Sequence, residues 1–77
     1  MLSFEYDSKN NTLEIFFDTD GKAHLLASLQ RLVKPGDHEH LMTPFWSGSE
    51  LSEELHGAEK TLIHMVTLGV SHKEAMK

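Results

Sequence analysis

The apolar residues of this chain recur at every second position as far as Phe17, then at every third or fourth position once Asp18 is passed. That change of period sets the first three elements. Leu2-Ser3-Phe4-Glu5-Tyr6-Asp7 alternates apolar and polar residues, the signature of a half-buried strand. Asp7-Ser8-Lys9-Asn10-Asn11 is a turn cluster, because Asn and Asp accept left-handed backbone angles. Thr12-Leu13-Glu14-Ile15-Phe16-Phe17 alternates again, with Leu13, Ile15 and Phe17 on one face. Two such runs around a short turn predict an antiparallel hairpin.

Asp18-Thr19-Asp20-Gly21 supplies N-cap oxygens. From about Asp20 to Lys34, Leu25, Leu26, Leu29, Leu32 and Val33 form a stripe at helical spacing. Lys34-Pro35-Gly36 ends it, since proline cannot continue a helix and glycine suits its cap. A helix here would cover one face of the hairpin. A third strand is expected over Glu39–Thr43 and a fourth over Lys60–Val70. The fourth carries apolar residues on both faces: Leu62, Val66 and Leu68 on one, Ile63 and Met65 on the other. A strand wet on one side does not read this way. Either residues 44–59 cover its second face or another chain does, and Phe16 on the outward face of the hairpin raises the same question. Ser47-x-x-Glu50 fits a capping box, with Leu51 and Leu55 four apart before Gly57, so residues 49–56 read as a short helix or as an irregular loop. The fold class expected is therefore α+β: a single domain over residues 1–77, ββαββ-like, a mostly antiparallel sheet with the helix on one face, and a frayed tail over 71–77.

Composition narrows the function classes. Without cysteine, disulfides, thiolate metal sites and cysteine nucleophiles are excluded. The first fifteen residues hold Glu5, Asp7, Lys9 and Glu14 and no apolar run, which predicts no secretory leader and a cytoplasmic protein. No stretch approaches the ~20 apolar residues of a membrane span. The net charge is −5 and the Lys and Arg residues are scattered, which argues against nucleic-acid binding, where clustered cations replace phosphate counterions. The acids, by contrast, gather. Residues 35–59 contain Asp37, Glu39, Glu50, Glu53, Glu54 and Glu59 with no Lys or Arg. The same segment holds the single tryptophan, Trp46, beside Phe45. An acidic, aromatic segment suits a basic protein partner. Trp46 either closes the open sheet face as core or anchors an interface.

Catalytic chemistry finds less support. His38-x-His40 sets two imidazoles on one strand face, and His64 could lie opposite, a three-histidine set that zinc accepts. The plainer reading is histidines bonded to backbone or to Asp37 and Glu39. Glu50, Glu53 and Glu54 are close in sequence, but acid–base work needs a desolvated pocket that a chain of this length hardly encloses. Ser47 and Ser49 flank Gly48 without a nucleophile elbow, and no phosphate-binding loop occurs. No cofactor is implied, and a binding module is favoured over an enzyme.

The run His38-Glu39-His40-Leu41-Met42, followed by Trp46-Ser47-Gly48-Ser49-Glu50-Leu51-Ser52, resembles the immunity protein 32 family of bacterial polymorphic toxin systems. The likeness covers nearly the whole chain and matches at His40, Leu41, Trp46, Gly48, Glu50 and Leu51. Where the family pattern leads us to expect a second glycine beside Gly48, this chain has Ser47 and Ser49. The resemblance implies a cytoplasmic, non-enzymatic inhibitor that neutralises a cognate toxin domain; the acidic, aromatic make-up of residues 35–59, not the resemblance, puts forward Trp46, Glu50, Glu53 and Glu54 as its contact residues. The alternative is a self-associating structural or ligand-binding module, a homodimer burying Phe16, Ile63 and Met65.

Overall fold

Strands β1 (Leu2–Asp7) and β2 (Thr12–Phe17) pair antiparallel over their full length, from Leu2 opposite Phe17 to Asp7 opposite Thr12. This hairpin opens a computed structural model that describes residues 1–73; the rest of the expected tail, 74–77, lies outside the described residues. The turn closes as the Asn/Asp cluster requires. An Asp7 carboxylate oxygen accepts from the backbone N–H of Lys9 at 3.0 Å, and Asn11 adopts a φ of 52°.

Helix α1 spans Thr19–Arg31. Asp18 caps it, its side chain accepting from the Gly21 N–H at 2.9 Å. Gly21 is required by space: a Cβ there would lie 1.7 Å from the Met1 carbonyl oxygen. The helix stops three residues before the point that Pro35 suggests. Leu32 is already extended, and the Asp37 carboxylate accepts from the N–H groups of both Val33 and Lys34, at 3.1 and 3.0 Å. Those bonds turn the chain into β3 (His38–Met42).

Where the sequence suggests one last strand, the chain makes two, and they belong to different sheets. β4 (Thr61–Leu62) pairs antiparallel with the second edge of β1, giving the order β2-β1-β4. β5 (Met65–Gly69) pairs antiparallel with β3, from His38 opposite Gly69 to Met42 opposite Met65. The break falls at Ile63–His64. There the Thr43 N–H donates to the His64 carbonyl at 2.9 Å, and the Ile63 N–H donates to Phe4. The bend also removes the two-faced apolar pattern: Ile63, Val66 and Leu68 all pack against the core, and Met65 is left exposed.

That core is thin. Leu2, Phe4, Leu41 and Leu51 are buried, with Leu25, Ile63, Val66 and Leu68 packed against them. The α+β class and the order of hairpin, helix and further antiparallel strands are as the patterning predicts. Among the described residues no helix is long and apolar enough to cross a membrane.

Candidate functional site

Between β3 and β4 the chain runs for eighteen residues, 43–60, with only one helical turn, a 3₁₀ turn at Pro44–Trp46. Residues 49–56 form no helix. The expected capping box fails because both of its members are used otherwise. Ser47 sits in the left-handed region, φ 63° and ψ 22°, and the Glu50 carboxylate reaches back to accept from the Met42 N–H at 3.0 Å. The Leu51 N–H donates to the Met42 carbonyl at 3.1 Å and the Ser52 N–H to the Leu2 carbonyl at 2.7 Å. The segment thus bridges β3 and β1 in extended form, with strand ends in place of the carbonyls a helix would offer. Gly48 makes this approach possible, since a Cβ would lie 2.5 Å from the Met42 carbonyl oxygen.

The turn that carries the aromatics is held from below. Thr43 is buried, and its hydroxyl lies 2.7 Å from His64 Nδ1. The N–H groups of Trp46 and Gly48 both donate to the Thr43 carbonyl, at 2.9 and 3.0 Å. Above this brace Phe45 is 66% exposed and Trp46 54% exposed, their rings edge to face with centroids 5.5 Å apart. Phe45 leans on the His64 ring, with centroids 4.6 Å apart. Trp46 therefore does not close a sheet face; two large aromatics stand in solvent on a braced turn.

The six carboxylates do not form one acidic face. Glu39 takes a two-point contact from the Arg31 guanidinium at 2.7 and 2.8 Å, which holds its carboxyl below the usual range. Glu59 pairs with Lys9 at 2.5 Å. The Lys34 and Val33 N–H groups hold Asp37 below its ordinary pKa. Glu50 is half-buried and belongs to the loop's own bonding. Glu53 and Glu54 are exposed, and no cation pairs with them among the described residues. Of the expected contact residues, Trp46, Glu53 and Glu54 face solvent on this segment. Of the positions matching the family pattern, Leu41 and Leu51 are core, Gly48 and Glu50 shape the loop, and His40 is exposed on β3, its Nδ1 2.9 Å from the Thr67 hydroxyl.

The histidines of the candidate zinc set are engaged separately. His38 Nδ1 lies 3.2 Å from the Gly36 carbonyl, His40 bonds Thr67, and His64 bonds Thr43. Among the described residues no three His, Asp or Glu side chains gather as a metal site. An open hollow of about 190 Å³ is lined by Met1, Asp20, His24 and Glu50, among others. Small-molecule sites are larger, about 300–1,000 Å³.

A buried anion outside the expected set fastens the far end of the loop. Glu5, on β1, is fully buried. One carboxylate oxygen accepts from the His56 N–H at 2.6 Å and lies 2.8 Å from His56 Nδ1; the other accepts from the Gly57 N–H at 3.1 Å. Burial pushes this carboxyl upward, but the three donors outweigh it and hold its pKa below 4.5. An ionised carboxylate only accepts, so His56 Nδ1 carries its proton. The His56 ring also stacks on Phe16 with centroids 4.3 Å apart, covering the aromatic that the hairpin pattern left outside. Sequence reasoning missed Glu5 and His56; the one available signal was Phe16 on the same face as Glu5. Compared with protein-family models, curated proteins and solved structures, the chain matches none.

Proposed function

We propose that this protein is a non-catalytic, cytoplasmic binding module that neutralises a basic protein partner, a toxin domain of the kind the immunity-protein resemblance implies. The contact surface is Phe45 and Trp46 on the braced turn with the unpaired Glu53 and Glu54 farther along the same segment. The observation that carries the reading is the exposure of the two aromatics on a rigid support. Solvent-facing Trp and Phe cost solubility unless a partner covers them, and Trp is among the residues that dominate interface energies. Exposed carboxylates on the same segment, with no cation on them among the described residues, favour a cationic partner and speed its approach. Glu50 leaves the contact set proposed from sequence, and Phe45 joins it.

A growth test decides the matter. A basic toxin domain encoded in the neighbouring gene, which the proposal requires, is expressed in a host with and without this protein. Survival that needs the protein, and is lost in Trp46→Ala and in Glu53→Lys with Glu54→Lys while both variants stay folded, supports the proposal. Equal survival with those variants would falsify the assigned surface, and toxicity unaffected by the wild-type chain would refute the function.

A further inference from the structure

We propose a second interaction surface, distinct from Phe45, Trp46, Glu53 and Glu54: the free edge of β2 and the adjoining side of α1 join two copies of this chain through an antiparallel β2–β2 contact. β2 is the outer strand of its sheet. Its six residues contain no Pro, Lys or Arg, and its single charge, Glu14, is already tied to Lys60. Natural edge strands carry such residues, or bulges and covers, to block pairing with another chain. This one carries none of the blocking residues.

The faces beside that edge are apolar and open. Leu13, Ile15 and Phe17 share the face of the hairpin that holds Leu2 and Phe4, since directly opposed residues project to the same side. On α1, residues advance about 100° each. Gly21, Leu25 and Ser28 form the covered stripe. Arg31 lies to one side of it and meets Glu39 of β3, and Leu26 and Leu29 lie exposed on the other side with Lys22 between them. These five large residues are each between 41% and 56% exposed. Together they show on the order of 400 Å² of apolar surface, about the size of the largest patch on a typical monomer, which is often functional. With the strand edge itself, that approaches the ~800 Å² each partner contributes to a standard interface.

A second copy is the occupant that fits. Residues 12–34 carry Glu14, Asp18 and Asp20 against Lys22, Arg31 and Lys34, so this region is neutral although the whole chain is −5, and two copies meet here without net repulsion. One symmetric register sets Ile15 opposite its own counterpart and Leu13 opposite Phe17, an apolar ladder with Glu14 facing Phe16. The neighbouring symmetric register centred on Glu14 opposes like charges and is disfavoured. On the opposite face His56 stacks on Phe16 and Lys60 holds Glu14, so the end of the 43–60 segment borders the seam, while the apolar contact of Leu13, Ile15 and Phe17 lies on the other face.

The test is sedimentation equilibrium of the full chain over a wide concentration range, repeated with Ile15→Lys. The expected result is a monomer–dimer equilibrium for the wild type and a dissociation constant at least roughly 30-fold larger in the variant, the effect of losing a hot spot. Because the chain has no cysteine, single-cysteine variants report the register independently. Ile15→Cys should oxidise to a disulfide-linked dimer, whereas Thr12→Cys, ~20 Å from its counterpart at 3.4 Å per residue, should not. A wild type that stays monomeric at the highest concentrations, a dimer indifferent to Ile15→Lys, or equal cross-linking of the two cysteines overturns the proposal.

Discussion

The two strands of the hairpin have the same pattern and opposite fates. Leu2 and Phe4 of β1 are 1% and 4% exposed, whereas Phe17 and Ile15, their directly opposed partners on β2, are 49% and 41% exposed. The same holds on the other face. Glu5 of β1 is fully buried, while its partner Glu14 on β2 is half-buried and reaches Lys60. Alternation along a strand reports which face a residue takes, not how far the core extends sideways. Here the core stops at the central strand: β1 lies between β2 and β4 and the loop crosses its Glu5, whereas β2 has a neighbour on one edge only.

The sharpest way to break this contrast is to truncate across it. Phe4→Ala should cost about 3–5 kcal/mol, enough to unfold much of so small a domain, while Ile15→Ala should cost about 1 kcal/mol or less in dilute solution. Urea denaturation of the two variants checks it, and equal losses would place the core elsewhere.

A smaller and more specific effect is expected from the opposed carboxylates. Glu5→Gln keeps the shape but leaves the buried donors of His56 and Gly57 short of acceptors, a loss of about 2 kcal/mol. Glu14→Gln should change the unfolding midpoint within experimental error. The pH dependence separates them further. The folded pKa of Glu5 lies below its ordinary 4.5, so its contribution is complete above that value and is lost as the pH falls through the folded pKa. Between neutrality and strong acid the wild type should therefore lose its advantage over Glu5→Gln. A constant difference between the two down to acid would show that Glu5 is not ionised in the fold.

A small change is also expected at the end of β3, where buried Leu41 and exposed Trp46 repeat the contrast. Trp46→Ala should alter stability by less than about 1 kcal/mol. Since Trp46 is the only tryptophan, its fluorescence should be red-shifted and readily quenched by acrylamide. A blue-shifted, protected indole would return Trp46 to the core.

Much of the fold was legible because it is local. The hairpin register and the helix follow from periods of two and 3.6 within single segments, and the cap oxygens stand beside the elements they end. What the sequence concealed depends on distant partners. Lys60–Val70 reads as one strand until Thr43 meets His64 and bends it. The absence of cations from residues 35–59 suggested one acidic face, yet Arg31 reaches Glu39 from eight residues away and Lys9 reaches Glu59 from fifty. Glu5 read as an outward strand position because nothing within β1 reveals that a loop fifty residues later will lie across it. At the candidate site, Trp46, Glu53 and Glu54 were named from sequence, as were Gly48, Glu50, Leu51 and His64, but the part these last four play in holding the loop was not, and Thr43, Glu5 and His56 were missed.

The loop has a consequence for how such a protein can change over time. Gly48, Glu50, Leu51 and His56 moor it to the sheets at intervals, and between the moorings lie two short outward stretches, Phe45–Ser47 and Glu53–Leu55. Substitutions in those stretches touch neither the buried leucines nor the strand ladders. The side chains of Phe45, Trp46, Glu53, Glu54 and Leu55 can thus vary while the scaffold is inherited unaltered, whereas Ser47, held at φ 63°, is not so free to change.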